Sequence, residues 1–288
     1  MHTFELRKTE MRYIHTMKNY RLAWIFLLFV FISIAYSCSH NPYAATNKSY
    51  KKQAKDYANI LKQYPLQDSF NNAPYFVGTT NFSLRKPNFV IIHHTAQNSC
   101  EQTLKTFTLT RTEVSAHYVI CKDGTIHHML NDYMRAWHAG AGKWGNDADI
   151  NSSSIGIELD NNGFEPFSDA QMHSLLILLE SLKKKYNIPT ANFIGHAEIA
   201  PTRKVDPNIF FPWKELAGNG FGYWYNDTTH IVMPETFNHL QALRIIGYDI
   251  KDTTAAIAAF KRHWLQDTTL TVNDPVKKIL FDVMKKYQ

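Results

Sequence analysis

A run of four apolar residues, Phe89-Val90-Ile91-Ile92, limits most strongly what this chain can fold into. Aromatic and β-branched residues with no polar alternation are typical of a strand that is buried on both faces. Such a strand belongs inside a sheet that is covered on each side. Two histidines, His93 and His94, follow directly at the end of this predicted strand.

Strand patterns alternate with helix patterns over the middle of the chain. Further strands are predicted at residues 117–121, 125–130, 154–159 and 192–195, and Lys122-Asp123-Gly124 predicts a hairpin between the first two. Ser168 and Gln171 have capping-box spacing and open a helix that runs to Tyr186, and residues 100–107 predict another helix. The alternation indicates an α/β or α+β fold, and we predict α/β: a mixed central sheet flanked by helices over residues 85–229.

Three amphipathic segments follow, at residues 235–246, 253–264 and 275–287. Helical spacing of their apolar residues predicts a small C-terminal three-helix domain over residues 230–288.

The N-terminal residues have the pattern of an export signal. Residues 22–36 contain no charge and follow Lys18 and Arg21, and they are few for a membrane span. The run ends at AYSC, which resembles a bacterial lipobox with Cys38 as the lipidated residue, although Tyr36 is large for its position. We expect a signal peptide over residues 1–37, with Met17 a possible true start, and a tether over residues 38–84. A plain signal peptide or an uncleaved anchor helix is the alternative.

The charge of the chain bears on its expected partners, and its cysteines bear on a possible disulfide. The net charge is +6, and residues 1–37 carry five basic and two acidic residues, which leaves a net charge of +3 on the remainder. No basic block interleaved with aromatics is present, so nucleic acid is not an expected partner. We interpret Cys100 and Cys121 as buried small hydrophobic residues, with a disulfide permitted outside the cytoplasm but not established.

Metal-ligand types gather at the ends of predicted strands. His196 follows the apolar stretch NFIG, and Asp206 lies ten residues further on. A catalytic zinc has three protein ligands and one open position for water. The third ligand is either His93 or His94, because adjacent strand residues point to opposite faces.

Five segments together resemble the zinc-dependent N-acetylmuramoyl-L-alanine amidases related to phage T7 lysozyme and the peptidoglycan recognition proteins. They are VIIHHTA at 90–96, SAHYVICKDG at 115–124, WHAG at 137–140, SIGIEL at 154–159 and GHAEIAPTRKVDPN at 195–208. The chain is most similar to the lipoprotein branch, because LQALRIIGYDI and AIAAFKRHW resemble a peptidoglycan-binding helical module.

The resemblance assigns roles to individual residues. It implies zinc ligands at His93, His196 and Asp206, with His94 only a neighbour, and catalytic roles for Glu158 and Lys204. Some relatives use a tyrosine where this chain has Ala116, which favours the branch that uses the glutamate. Zinc, a carboxylate base and a cation suit hydrolysis of an unreactive amide.

Aromatic and histidine side chains near these motifs suit a groove for a sugar-peptide. We expect His138, Trp137 and Trp144 to contact substrate, and His117 either to support the site or to pack in the core.

The resemblance therefore implies a zinc amidase that cuts the bond between the lactyl group of N-acetylmuramic acid and L-alanine during cell-wall turnover. Its partners would be peptidoglycan or muropeptides and, through the lipid anchor, a membrane. We expect an exported monomer, anchored at the outer membrane and facing the periplasm. The alternatives are a non-catalytic peptidoglycan-binding lipoprotein on the same fold and a structural tether, and the filled zinc positions argue against both.

Overall fold

A computed structural model describes residues 41–62, 84 and 86–288. The predicted signal peptide, Met17, Cys38 and most of the predicted tether lie outside the described residues. Among the described residues, no helix combines the length and the apolar character needed to span a membrane.

Helix α1, Ala44–Leu61, lies in the first of two compact units of the chain and has no buried residue. The sequence indicated a shorter helix, near residues 50–64, within the tether. The structure begins this helix six residues earlier than the sequence pattern does.

The second unit contains a five-stranded sheet. Its strands are β1 Phe89–His94, β2 Tyr118–Ile120, β3 Ile126–His128, β4 Ser154–Leu159 and β5 Phe193–Gly195, in the order β3-β2-β4-β1-β5. Strand β1 is parallel to β4 and β5, β2 is parallel to β4, and only β3 runs antiparallel, through the predicted hairpin. The predicted mixed sheet flanked by helices is confirmed.

In the described part of this unit, the five longer helices lie close to the predicted positions, and three short helices were not predicted. In chain order the helices are α2 Cys100–Thr108, α3 Ile150–Ser153, α4 Asp169–Tyr186, α5 His196–Ile199, α6 Trp213–Gly218, α7 His239–Ile246, α8 Thr253–Leu265 and α9 Asp274–Lys286. Short 3-10 turns occupy Thr110–Thr112 and Thr190–Asn192.

Only one of the two hydrogen bonds of the predicted capping box forms at the start of α4. Ser168 Oγ accepts a hydrogen bond from the backbone N–H of Gln171 at 3.2 Å. The Gln171 side chain does not return to the cap. It is fully buried and donates to the Ile120 carbonyl at 2.8 Å and to the Asp160 carbonyl at 3.2 Å. Tertiary hydrogen bonds to the sheet therefore replace the local one.

The two faces of the sheet bury different partners. Val90, Ile92 and Ile157 pack in a core that includes the apolar stripe of α4. Ile91 and Ile194 point the other way, into a second core that includes buried residues of α7, α8 and α9. The C-terminal helices thus share a core with the sheet. The domain boundary near residue 230 stays a prediction.

The interpretation of Cys100 and Cys121 as free hydrophobic residues is wrong. Their sulfurs form a disulfide that joins the start of α2 to the residue after β2, with the Cα atoms 5.3 Å apart. That separation is ordinary for a disulfide. A spacing of 21 residues in sequence could not show that these two points meet.

A buried carboxylate, Asp132, ties a loop to α4. Its oxygens accept hydrogen bonds from the hydroxyls of Tyr118 at 2.7 Å and Tyr186 at 2.6 Å, and from Lys185 Nζ at 3.0 Å. Burial alone raises the pKa of Asp132, but these hydrogen bonds together bring it below its ordinary value. The cluster lies at the opposite edge of the sheet from β5.

Candidate metal centre

Three potential ligand atoms converge where β1 and β5 end. His93 Nδ1 lies 2.9 Å from His196 Nδ1 and 3.2 Å from Asp206 Oδ2, and His196 Nδ1 lies 3.0 Å from the same oxygen. All three residues are buried, and they form a group able to hold a metal ion. The sequence predicted this ligand set.

The local folding of the chain explains why these atoms meet. His93 and His196 follow neighbouring parallel strands, whose carboxyl ends share one edge of the sheet. Asp206 returns on the loop after α5, and its backbone carbonyl accepts a 2.7 Å hydrogen bond from the N–H of Ala197. This backbone contact sets the carboxylate beside His196.

The donor set fits zinc. Two imidazole nitrogens and one carboxylate oxygen are ordinary zinc ligands, and tetrahedral bonds of about 2.0–2.2 Å put ligand atoms about 3.3–3.6 Å apart, slightly more than here. Burial lowers the pKa of His93 to about 4, so its ring is neutral at neutral pH. Burial raises the pKa of Asp206, but the adjacent rings of His196 and His93 outweigh this effect and hold the pKa below its ordinary value, so the carboxyl is ionised.

His94 points to the other face of the sheet. Its Nδ1 accepts a 3.1 Å hydrogen bond from the backbone N–H of Asn208, and Gly163 packs against its ring. His94 therefore supports the loop that carries Asp206, and His93 is the member of the pair that lies in the cluster.

Glu158 lies beside His93, because the two residues are partners in the register of β4 and β1. Its Oε1 is 3.9 Å from His93 Nδ1, and its side chain is 12% exposed. Burial, reinforced by the charge of Asp206, raises the pKa of Glu158 to about 8. Among the described residues, its other oxygen has no hydrogen-bond partner. In its ionised form, which the raised pKa makes a stronger base, this buried carboxyl can accept a proton from water beside a metal centre.

Lys204 lies on the same loop as Asp206 and is partly exposed. Its positive charge opposes the rise that burial causes in the pKa of Glu158, and it adds slightly to the lowering that burial causes in the pKa of His93, so Lys204 lies within electrostatic range of the cluster. Arg203 instead donates to the Ala139 carbonyl at 3.3 Å.

Two residues predicted to line a substrate groove are largely buried. Trp144 is 7% exposed and packs edge-to-face on Tyr248 at 5.0 Å, against Gly247, so it belongs to the core shared with the C-terminal helices. His138 is buried, and its Nδ1 lies 3.1 Å from His93 Nε2. Both side chains face inward, and their contact with substrate stays a prediction.

His117 is a core residue. Its Nδ1 accepts from the Gly156 N–H at 3.1 Å, so its Nε2 carries the proton and donates to the Met134 carbonyl at 2.9 Å. Trp137 is 53% exposed, and its role in substrate contact stays a prediction.

Sequence reasoning missed three residues around His138. Ser154 Oγ lies 3.1 Å from His138 Nε2, and Asn151 Oδ1 accepts from the backbone N–H groups of His138 and Ala139 at 3.0 and 2.9 Å. A Cβ on Gly156 would lie 2.4 Å from the His138 ring. A glycine inside a predicted strand is a sign of such close approach, and Gly156 was the available signal.

Comparisons with known proteins agree with this geometry. The family model described as N-acetylmuramoyl-L-alanine amidase matches residues 83–209. The amidase AmiD of Escherichia coli is 32% identical over 207 aligned positions, covering 61% of this chain and 74% of that protein. The 1,6-anhydro-N-acetylmuramyl-L-alanine amidase AmpD of Haemophilus influenzae is 40% identical over 102 positions, covering 35% of this chain and 55% of that protein.

Solved structures agree as well. AmiD from E. coli, in complex with the substrate anhydro-N-acetylmuramic acid-L-Ala-D-gamma-Glu-L-Lys, matches with a TM-score of 0.64 and 27% identity, covering 73% of this chain and 93% of that chain. AmpDh3 from Pseudomonas aeruginosa matches with a TM-score of 0.65 and 27% identity, covering 77% of this chain and 99% of that chain. The sheet, the ligand-type cluster and these similarities lead to one conclusion: the chain belongs to the N-acetylmuramoyl-L-alanine amidase family, amidase type 2.

Proposed function

We propose that this chain is a zinc-dependent N-acetylmuramoyl-L-alanine amidase that hydrolyses the amide between the lactyl group of N-acetylmuramic acid and L-alanine. The observation that carries the proposal is the convergence of His93, His196 and Asp206 with Glu158 in the adjacent register position. A binding protein or a tether has no need of a buried carboxyl with a free oxygen at such a cluster.

The residues divide the chemistry among them. A zinc ion, when bound, lowers the pKa of its water towards about 7 and polarises the scissile carbonyl. Glu158 is placed to accept the proton of the attacking water and to return it to the leaving amine. Lys204 supplies positive charge for the oxygen that becomes negative as water adds. His93, His196 and Asp206 hold the centre in position.

The substrate class follows from the relatives. The AmiD complex contains an anhydro-muramyl peptide, and AmpD is named for the 1,6-anhydro sugar. We infer that this chain acts on muropeptides, and that an anhydro-muramyl peptide is the first substrate to assay alongside its ordinary muramic acid counterpart.

We also propose that the protein is exported and anchored through a lipid on Cys38, at the outer membrane and facing the periplasm. The disulfide between Cys100 and Cys121 supports export, because disulfides persist in oxidising compartments. The lipobox-like sequence supports the anchor.

Digestion of purified muropeptides tests the function. The zinc-loaded protein should release free peptide and intact sugar, identified by mass, and a chelator should abolish the release until zinc is restored. Binding of muropeptide without any cleavage, in protein that contains zinc, would instead support the non-catalytic alternative.

The ligand set is tested by a matched pair of variants on one strand. His93→Asn should lose most of the bound zinc, and His94→Asn should retain about one zinc per chain, because asparagine can still accept the hydrogen bond from Asn208. Metal content measured by mass spectrometry on folded protein decides the outcome. Equal zinc in both variants would refute the assignment.

A further inference from the structure

The segment Trp137–Gly140, which we call the bracing loop, contacts both histidines of the metal centre at their Nε2 atoms. Its residue Ala139 bonds to His196 and its residue His138 bonds to His93. The family resemblance assigned this loop only a place in the groove wall, and its inward contacts have a different consequence.

The contact to His196 favours the tautomer whose Nδ1 can bind a metal ion. His196 Nε2 lies 3.3 Å from the Ala139 carbonyl oxygen, which can only accept a hydrogen bond. A metal ion on Nδ1, the atom that faces His93 and Asp206, requires the ring proton on Nε2, and the Ala139 carbonyl accepts it there. In metal-free protein the Asp206 carboxylate, 3.0 Å from Nδ1, competes for that proton.

The contact to His93 does the same through a relay of hydrogen bonds. Ser154 Oγ donates its only proton to the Ile150 carbonyl at 2.5 Å, so it must accept from His138 Nε2 at 3.1 Å. In a neutral ring His138 Nδ1 is then the acceptor, and it receives the Nε2 proton of His93 at 3.1 Å. The lone pair of His93 is left on Nδ1, which also faces the cluster.

Two further contacts hold the bracing loop in place. Asn151 Oδ1 accepts both backbone N–H groups of His138 and Ala139. The absence of a side chain at Gly156 leaves the space that the His138 ring occupies. The loop is thus anchored from α3 and fitted to β4.

We propose that His138 and Ser154 are positioning residues, which hold His93 in the tautomer that binds metal, while the Ala139 carbonyl does the same for His196. This inference rests on the proposed function, because it concerns the same metal centre. Loss of a partner that orients a ligand histidine commonly weakens metal affinity by about 10–100-fold.

The test measures zinc affinity by competition with a chromophoric chelator. Ser154→Ala and His138→Ala should weaken zinc binding by about 10–100-fold. Ser154→Thr, which retains a hydroxyl, and His138→Asn, which retains an acceptor towards His93, should recover most of it. Ser153→Ala is the matched control, because its hydroxyl bonds to Asp147 and the Ile150 carbonyl and reaches no ligand. It should bind zinc as the wild type does.

A second readout reports the tautomer itself. In metal-free protein with ¹⁵N-labelled histidine, the ring nitrogen shifts of His93 should show the proton on Nε2 in the wild type. In Ser154→Ala they should show a mixture or the Nδ1 form. A purely structural role for Ser154 would lower thermal stability without changing these shifts.

The outcomes separate the two ideas. Folded Ser154→Ala and His138→Ala proteins that bind zinc within threefold of the wild type, with unchanged ¹⁵N shifts, would overturn the positioning role and leave the amidase proposal intact. A wild-type protein that binds no zinc would overturn both.

Discussion

Removal of the C-terminal helices should unfold the sheet that carries the metal centre. The sequence pattern predicted a separate wall-binding module, so a chain ending at Asn226 would still cleave soluble muropeptides. The shared core predicts the opposite. On the sheet side, that core contains four isoleucines that are at most 2% exposed: Ile91, Ile150, Ile194 and Ile199.

The size of the effect follows from these side chains. Re-exposing a fully buried isoleucine costs roughly 1.5–3 kcal/mol, so the four together represent roughly 6–12 kcal/mol. Even half of that exposure, about 3–6 kcal/mol, approaches the net stability of about 5–15 kcal/mol that a typical domain has. Truncation also removes Asp282, which accepts a 2.9 Å hydrogen bond from the Asn226 N–H. Trp144 would lose its partner Tyr248 as well.

The assay compares the truncated and complete chains by chemical denaturation, near-ultraviolet circular dichroism and zinc content. The truncated chain should show no cooperative transition, or one shifted far towards lower denaturant, and little bound zinc. Phe260→Ala, a single change in the same core, should cost about 3–5 kcal/mol and give a graded version of the effect. A truncated chain that unfolds cooperatively at nearly the wild-type midpoint and cleaves soluble muropeptides would refute the reasoning.

Four further predictions concern single residues. Glu158→Gln should leave zinc content unchanged and lower kcat by about 10²–10⁴-fold, and Lys204→Ala should lower kcat by about 10²–10³-fold. Steady-state kinetics with metal analysis checks both variants. Near-wild-type activity would require another base or another cation. Cys38→Ser should abolish labelling by a fatty-acid probe and release the protein from membranes, whereas equal labelling would favour an uncleaved helix. Asp132→Asn should cost about 1–3 kcal/mol at neutral pH. Because the folded-state pKa of Asp132 is lowered, this loss of stability is fully present above the unfolded pKa of about 3.9 and declines as pH falls through the folded value. Denaturation of both proteins at several pH values measures the loss. A loss that grows on acidification would contradict the prediction.

The strands and long helices were predictable from sequence because their signals are local. The apolar run at Phe89–Ile92 gave the central strand, and the cap at Ser168 gave the start of α4. The metal-ligand types were visible because they follow strands, and parallel strands end at one edge of a sheet.

The contacts that could not be predicted from sequence join residues that are far apart along the chain. In sequence, Trp144 looks like an exposed aromatic residue of a binding groove. It lies in the core because its ring packs against Gly247, about a hundred residues later. The residues next to His138 in sequence do not show that its ring packs in the space left by Gly156. Residue type and spacing do not encode which way such a side chain turns.

Contacts between a C-terminal helix and the turn before His196 link that helix to the metal centre. Glu198 lies two residues after His196, and its Oε2 accepts the Gly195 N–H at 2.6 Å, which closes the turn that presents the histidine. The same oxygen lies 3.1 Å from Nδ1 of His263 on α8, whose ring stacks on Trp213 at 4.0 Å. A helix that the sequence assigned to wall binding therefore contacts the backbone turn that positions a predicted zinc ligand. A change that loosens α8 should therefore reach the metal centre through His263 and Glu198.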